Sequence, residues 1–299
     1  VAIGYEALKG NSSNTTGLNG TVAIGTEALS LLTTGTANIA VGQLACKILT
    51  TGGYNTVVGY RAMDAADAGE SSNIAIGASA LGAMDEGASG SGDDNIAIGR
   101  NAGLSGADVT FDSNIAIGSY ALDGTSTQDV INVIAIGRDA LGGAAEDEVS
   151  GTVAIGRDAL TALTTGARNL AIGYHAMDSL TTGSDNIAIG YDALSSATTN
   201  TNQNIAIGSN ALNSITAGQT VSDNVAIGYD AGTAVTTGDG NVLVGMQAGN
   251  IITTGGTNTC IGNETDPSAN SGANQTVIGA TATGVADNSV TLGNASVTA

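Results

Sequence analysis

The chain has 299 residues, 45 of them Gly, with no Trp, one Phe, one Pro and 42% hydrophobic content drawn mainly from Ala, Ile, Val and Leu. That palette builds thin repeated layers rather than one thick globular core, and its β-branched share argues against disorder. Acidic residues outnumber Lys and Arg by 27 to 7, a formal charge of −20, which makes a nucleic-acid backbone a poor partner.

The first residues, Val1-Ala2-Ile3-Gly4, are the tail of a unit that recurs through the whole chain: Asn-Ile-Ala-Ile-Gly-x-x-Ala-Leu, then a polar stretch, often Thr-Thr-Gly. Because Val1 falls inside a repeat and no Met precedes it, the chain is expected to be a fragment of something longer. No basic-then-apolar leader opens it, and no apolar run reaches the roughly 18 to 20 residues of a membrane span, so membrane insertion by this segment is not expected.

The Gly closing each unit serves as an anchor: Gly4, Gly25, Gly42, Gly59, Gly77, Gly99, Gly118, Gly137, Gly156, Gly173, Gly190, Gly208, Gly228, Gly245, Gly262, Gly279 and Gly293. Seventeen coils follow, most of them 17 to 22 residues long, and the extra residues are expected in one surface loop. The residue before each anchor is aliphatic, the one three before it is aliphatic or Thr, and a small residue, usually Ala, lies between. This period of two predicts a short strand with both Ile on one face and Ala on the other. The expected arrangement puts the Ile face inside the coil and leaves the Ala face to pack on neighbouring protomers. After the anchor, pairs such as Tyr5-Glu6 or Arg138-Asp139 precede Ala-Leu, which reads as a turn and a second short strand.

The anchor itself is explained by a turn needing positive φ or by close backbone approach. A phosphate loop would need one glycine cluster between a strand and a helix, not glycines spread evenly along the chain. Asn stands four before the anchor at Asn38, Asn55, Asn73, Asn95, Asn114, Asn169, Asn186, Asn204, Asn224, Asn241 and Asn258. Stacked coils would align these into a ladder whose amides bond one another and the turn backbone. The whole reads as all-β, a single parallel β-solenoid over 1–299 with divergent coils over 263–299, on the order of 80 Å long at about 4.8 Å per coil.

The unit resembles the head repeat of trimeric autotransporter adhesins, as in Asn73-Ile74-Ala75-Ile76-Gly77 and Asn186-Ile187-Ala188-Ile189-Gly190. That resemblance implies a left-handed parallel β-roll, three copies around a shared axis. The longer period and the loops Thr33-Thr34-Gly35, Thr164-Thr165-Gly166 and Thr253-Thr254-Gly255 look more like repeats of phage tail fibres. The stretch from Ala286 to Val297 resembles the segment before a C-terminal intramolecular chaperone in such fibres, which implies self-cleavage or truncation.

Residues able to carry chemistry are few. His175 is the sole histidine, in a turn beside Tyr174, and no nucleophile motif accompanies it. Cys46 and Cys260 lie 13 coils apart, roughly 60 Å along such a rod, too far for a disulfide. Cys260 takes an Ala slot, where a buried free thiol outweighs an interchain contact. Asp93-Asp94 and Glu146-Asp147-Glu148 are acidic loops, read as solvated rather than as calcium sites because no Gly-Gly-x-Gly-x-Asp repeat recurs. Paired carboxylates could hydrolyse a glycan, but no non-repeating groove is visible. Tyr5, Tyr60, Tyr120, Tyr174, Tyr191 and Tyr229 follow the anchor by one or two positions; each by itself reads as a side chain resting on the surface, and repetition along one ridge is the feature that weak multivalent sugar binding would use. No catalytic residue, metal or cofactor is assigned.

The expected function is the non-enzymatic shaft of an extracellular trimeric fibre, a phage tail fibre or cell-surface adhesin, that presents or contributes to receptor attachment. Partners are copies of itself and a cell-surface receptor or glycan, and the longest loops, between Gly77 and Gly156 and including 85–93, are where contact is expected. The alternative is a single-chain solenoid binding calcium, glycan or ice.

Overall fold

The computed structural model describes residues 1–10, 17–84, 91–104, 110–124, 129–143, 149–216, 218 and 220–296. Two compact units divide the chain, Val1–Thr152 and Val153–Ala299. Both are all-β parallel solenoids, and among the described residues there is no helix and none that could cross a membrane.

In the first unit the strands Ala2–Ile3, Val22–Ile24, Ile39–Val41, Thr56–Val58, Ile74–Ile76, Ile96–Ile98, Ile115–Ile117 and Ile134–Ile136 each pair in parallel with the next in sequence. The second unit repeats this with Val153–Ile155, Leu170–Ile172, Ile187–Ile189, Ile205–Ile207, Val225–Ile227, Val242–Val244, Thr259–Ile261, Thr276–Ile278 and Val290–Leu292. Register follows the repeat: Ala171 pairs with Ala188 and Ile172 with Ile189. Every anchor glycine thus closes a strand, as the spacing predicts. Longer coils add a second parallel pairing, Phe111–Asp112 with Val130–Ile131 and Thr201–Asn202 with Val221–Ser222.

The direction of the strand faces is opposite to the sequence-based expectation. The central Ala points inward and is fully buried, as at Ala40, Ala75, Ala171 and Ala206, while flanking Ile39 and Ile76 remain 39% exposed. Space explains the inversion. The far wall fills the coil with Ala three, and Leu or Met four, residues after the anchor, such as Ala28-Leu29 and Ala176-Met177, leaving room for a small side chain from the strand, most often Ala. Where the strand's inner residue becomes Leu243, the Leu/Met positions nearby become Gly232 and Gly249. A Cβ on either would run into the Leu243 δ-methyls, so at this coil the larger strand residue is matched by smaller ones on the opposite wall.

The expected second strand is absent. Residues two and four after the anchor adopt left-handed backbone, with φ of 58° at Glu27 and 50° at Leu29, or 55° at His175 and 52° at Met177. Such residues cost about 1–2 kcal/mol each. The second of them turns its long apolar side chain into the core and sends its N–H to the next coil, as Leu29 does to the Ala45 carbonyl at 3.0 Å. The anchor glycines satisfy both reasons given for them. Gly42 has φ of 145°, and a Cβ there would overlap the Gly59 carbonyl one coil on.

Three polar ladders hold each unit's coils in register. Asn55 donates its Nδ2 to Asn38 Oδ1 (3.0 Å) and to the Glu70 carbonyl (2.8 Å), and its own Oδ1 accepts the Asn73 N–H (3.0 Å). All these groups are buried, so the ladder satisfies amides that water cannot reach. Thr21 takes this position ahead of the first ladder asparagine, Asn38, and its hydroxyl is buried without a hydrogen-bond partner. A second ladder, not anticipated from the sequence, lies six residues before the anchor. Ser71 N–H donates to Asp93 Oδ1 (2.7 Å), Asp93 N–H to Asp112 Oδ1 (2.8 Å), and Ser222 N–H to Asp239 Oδ1 (2.9 Å). The third joins threonines: Thr33 Oγ1 donates to the Thr50 carbonyl (2.9 Å), and Thr164 Oγ1 to the Thr181 carbonyl (3.0 Å).

Candidate binding surfaces

Two surfaces stand out once the coil is assembled. One is the outer face of the strand ladder, where Ile and Val flank each buried Ala in two rows; Ile39, Val58, Ile76 and Ile98 in the first unit and Ile227, Ile261 and Ile278 in the second are among the more exposed. A flat apolar face of this regularity serves no purpose inside its own coil, whose core is already filled by Ala and Leu.

The other is the corner just after the anchor. In the second unit the backbone places successive rungs in register there: Asp192 N–H donates to the Tyr174 carbonyl (3.1 Å), Asn210 N–H to Tyr191 (2.9 Å), Asp230 N–H to Ser209 (3.0 Å) and Gln247 N–H to Tyr229 (2.8 Å). The outermost position therefore reads Arg157, Tyr174, Tyr191, Ser209, Tyr229 along the ladder. Tyr174 and Tyr191 form a near-parallel, offset stack with centroids 5.6 Å apart and planes within 6°, and the Arg157 guanidinium lies 5.5 Å from the Tyr174 centroid. Asp192 beside Tyr191 pushes its phenol up from the ordinary value.

His175 does not stand alone in its turn. Its ring stacks on Tyr174 at 3.8 Å, Nε2 lies 3.3 Å from Asp158 Oδ2, and Nδ1 lies 3.5 Å from Asp192 Oδ1 and 3.7 Å from Asp178 Oδ2. Carboxylates from the coil before, its own coil and the coil after thus converge on one imidazole. Burial raises the Asp178 carboxyl, with His175 opposing the shift. Among the described residues no group of His, Cys, Asp or Glu is arranged to hold a metal ion.

The other singled-out residues are placed as follows. Tyr120 lies under the Arg100 guanidinium at 4.6 Å, and Tyr5 and Tyr60 are exposed in the first unit. Cys46 and Cys260 are free and buried, and burial pushes both thiols up, Cys260 to about 12. Asp93 is not a simple solvated loop residue, since it accepts a backbone N–H from the preceding coil. Burial together with nearby Asp112 raises its carboxyl, against the lowering effect of that hydrogen bond. Glu146-Asp147-Glu148 and most of the 85–93 loop lie outside the described residues. The first threonine of the Thr-Thr-Gly loops directs its hydroxyl to a neighbouring carbonyl, as Thr33, Thr164 and Thr236 do.

This is the construction of a structural repeat protein, a parallel β-solenoid whose polar groups serve coil stacking. No protein-family model matches the chain, and no curated protein matches it.

Proposed function

We propose that the chain is the shaft of an extracellular trimeric fibre, on a virion tail or a cell surface, that presents or contributes to receptor attachment and performs no catalysis. The observation that carries this reading is the double row of outward Ile and Val on the strand face. Fully burying an Ile side chain removes about 100 Å² from water. Side chains near 38% exposure, as Val58 and Ile261 are, leave about 40 Å² each. Along one unit these rows leave an apolar strip on the order of 500 Å², the upper end of what a lone chain exposes and a large part of one partner's share of a standard interface. A second and third copy of the same face are its natural cover; the number three comes from the resemblance to adhesin heads. Ladders of buried amides make each unit stiff, which suits a spacer, and the acidic surface discourages lateral clumping.

Light scattering on the purified protein tests this. The expected mass is three times the chain mass of 28.9 kDa. Ile207→Lys with Ile227→Lys is expected to return folded monomer, because both side chains face outward and touch no core residue's place. A folded, monomeric wild type would end the fibre reading.

A further inference from the structure

The stacked corner of the second unit has a gap of one rung. Tyr191 and Tyr229, each 53% exposed, occupy the same outermost position two coils apart, and the rung between them carries only Ser209. Tyr174 and Tyr191 show how this corner fills when consecutive rungs both carry a ring: the rings stack. At Ser209 the stack is broken. Two coil steps separate Tyr191 from Tyr229 by about 9.6 Å. We propose that this gap is a binding slot for one neutral pyranose unit of a glycan.

Width and charge both select that occupant. A flat ring in contact on both sides needs about 7–8 Å between the flanking planes. A pyranose chair, thickened by its pucker and axial hydrogens, needs more and suits the wider gap. Its C–H hydrogens carry partial positive charge, which complements the negative face of a phenol ring. Next to Ser209 and Tyr229 the same rungs supply Asn210 and Asp230, with Asn210 Nδ2 donating to Asp230 Oδ1 at 2.9 Å. The Asp230 carboxylate accepts hydroxyl protons from a neutral sugar and repels an anionic one such as a sialic acid. A single slot of this kind binds weakly, and copies on three chains would act together. The inference rests on the attachment part of the proposed function and not on assembly: a wrong oligomeric state shows in the mass, a wrong ligand only in sugar binding.

The test is saturation-transfer NMR on the purified chain with methyl β-galactoside, methyl β-glucoside and N-acetylglucosamine, with sialic acid and indole as counter-probes. Transfer is expected to the ring C–H protons of at least one neutral pyranose. Ser209→Tyr fills the slot with a third ring that continues the stack, so it should abolish transfer while leaving the circular dichroism spectrum intact. Tyr229→Ala alters an exposed side chain and should weaken binding at least fivefold, which keeps the test decisive if the first variant folds poorly. Absence of transfer to every neutral pyranose, transfer undiminished in Ser209→Tyr or in Tyr229→Ala, or equal transfer to indole or sialic acid would overturn the proposal.

Discussion

Replacing Asn224 with Ala removes one rung from the middle of the asparagine ladder. Asn224 Nδ2 donates to Asn204 Oδ1 (3.1 Å) and to the Gly238 carbonyl (3.0 Å), and Asn224 Oδ1 accepts from Asn241 N–H (2.9 Å) and Nδ2 (3.1 Å). In Asn224→Ala the Asn204 acceptor keeps the residue 224 N–H, which already donates to it at 3.1 Å. The buried Asn241 N–H is left without an acceptor, and Gly238 and the Asn241 amide each lose a partner. At about 1–3 kcal/mol per orphaned buried group, with a small cavity added, the loss comes to about 3–5 kcal/mol. In a stacked repeat the loss is felt by neighbouring coils rather than spread evenly. Native-state hydrogen exchange should therefore show protection of Val225 and Val242 falling roughly 150- to 4,000-fold. Ile39, whose N–H bonds the Asn55 carbonyl in the other unit, should be unaffected. Less than tenfold loss at Val225 and Val242, or an equal loss at Ile39, would refute the reasoning.

Other outcomes follow from burial and charge. Ala206→Leu forces three heavy atoms into a filled interior and should cost about 1–3 kcal/mol in thermal or denaturant unfolding, whereas Ile207→Thr on the outer face should leave the stability of a single chain nearly unchanged. Burial, reinforced by Asp139, pushes the Asp123 carboxyl up to about 6. Because the folded value lies above the unfolded one, the fold favours the neutral form, and that advantage is lost as pH rises from about 4 through 6. Asp123→Asn should accordingly be more stable than wild type at pH 7, by no more than about 1 kcal/mol in this partly exposed site and seen as a raised unfolding temperature, with the difference vanishing near pH 4. Cys46 and Cys260, buried with raised thiols, should resist alkylation in the native protein and react fully in denaturant.

Much of this architecture could be read from residue types because the repeat converts position into geometry. Asn four before the anchor predicts a ladder, and the ladder exists; the anchor Gly predicts a left-handed, crowded turn, and Gly42 and Gly173 supply it. The facing of the strand was not legible from alternation alone. A pattern of Ile-Ala-Ile says that two faces differ but not which looks inward, and that is decided by Leu29 or Met177 arriving from the opposite wall. The clue was compensation: Leu243 in the Ala slot accompanies Gly232 and Gly249 in the Leu slots. The second polar ladder left a trace as the recurring Ser or Asp two residues before the ladder Asn, as at Ser71, Asp93 and Ser222. The convergence of Asp158, Asp178 and Asp192 on His175 leaves less trace, since it depends on which side chains meet across three coils.

The left-handed residues bear on how such a chain is made. The coil around Gly173 holds Arg168, His175 and Met177 at φ of 60°, 55° and 52°, which disfavours an isolated coil by roughly 3–6 kcal/mol. Hydrogen bonds to an adjacent coil, such as His175 N–H to the Arg157 carbonyl, together with burial of Met177 in the stacked core, offset that cost. A lone coil is therefore no intermediate at all. Growth resembles deposition on a crystal face: a costly seed of a few coils, then rapid addition of each new turn onto the one already formed, so that the slow event in folding is starting the stack rather than lengthening it.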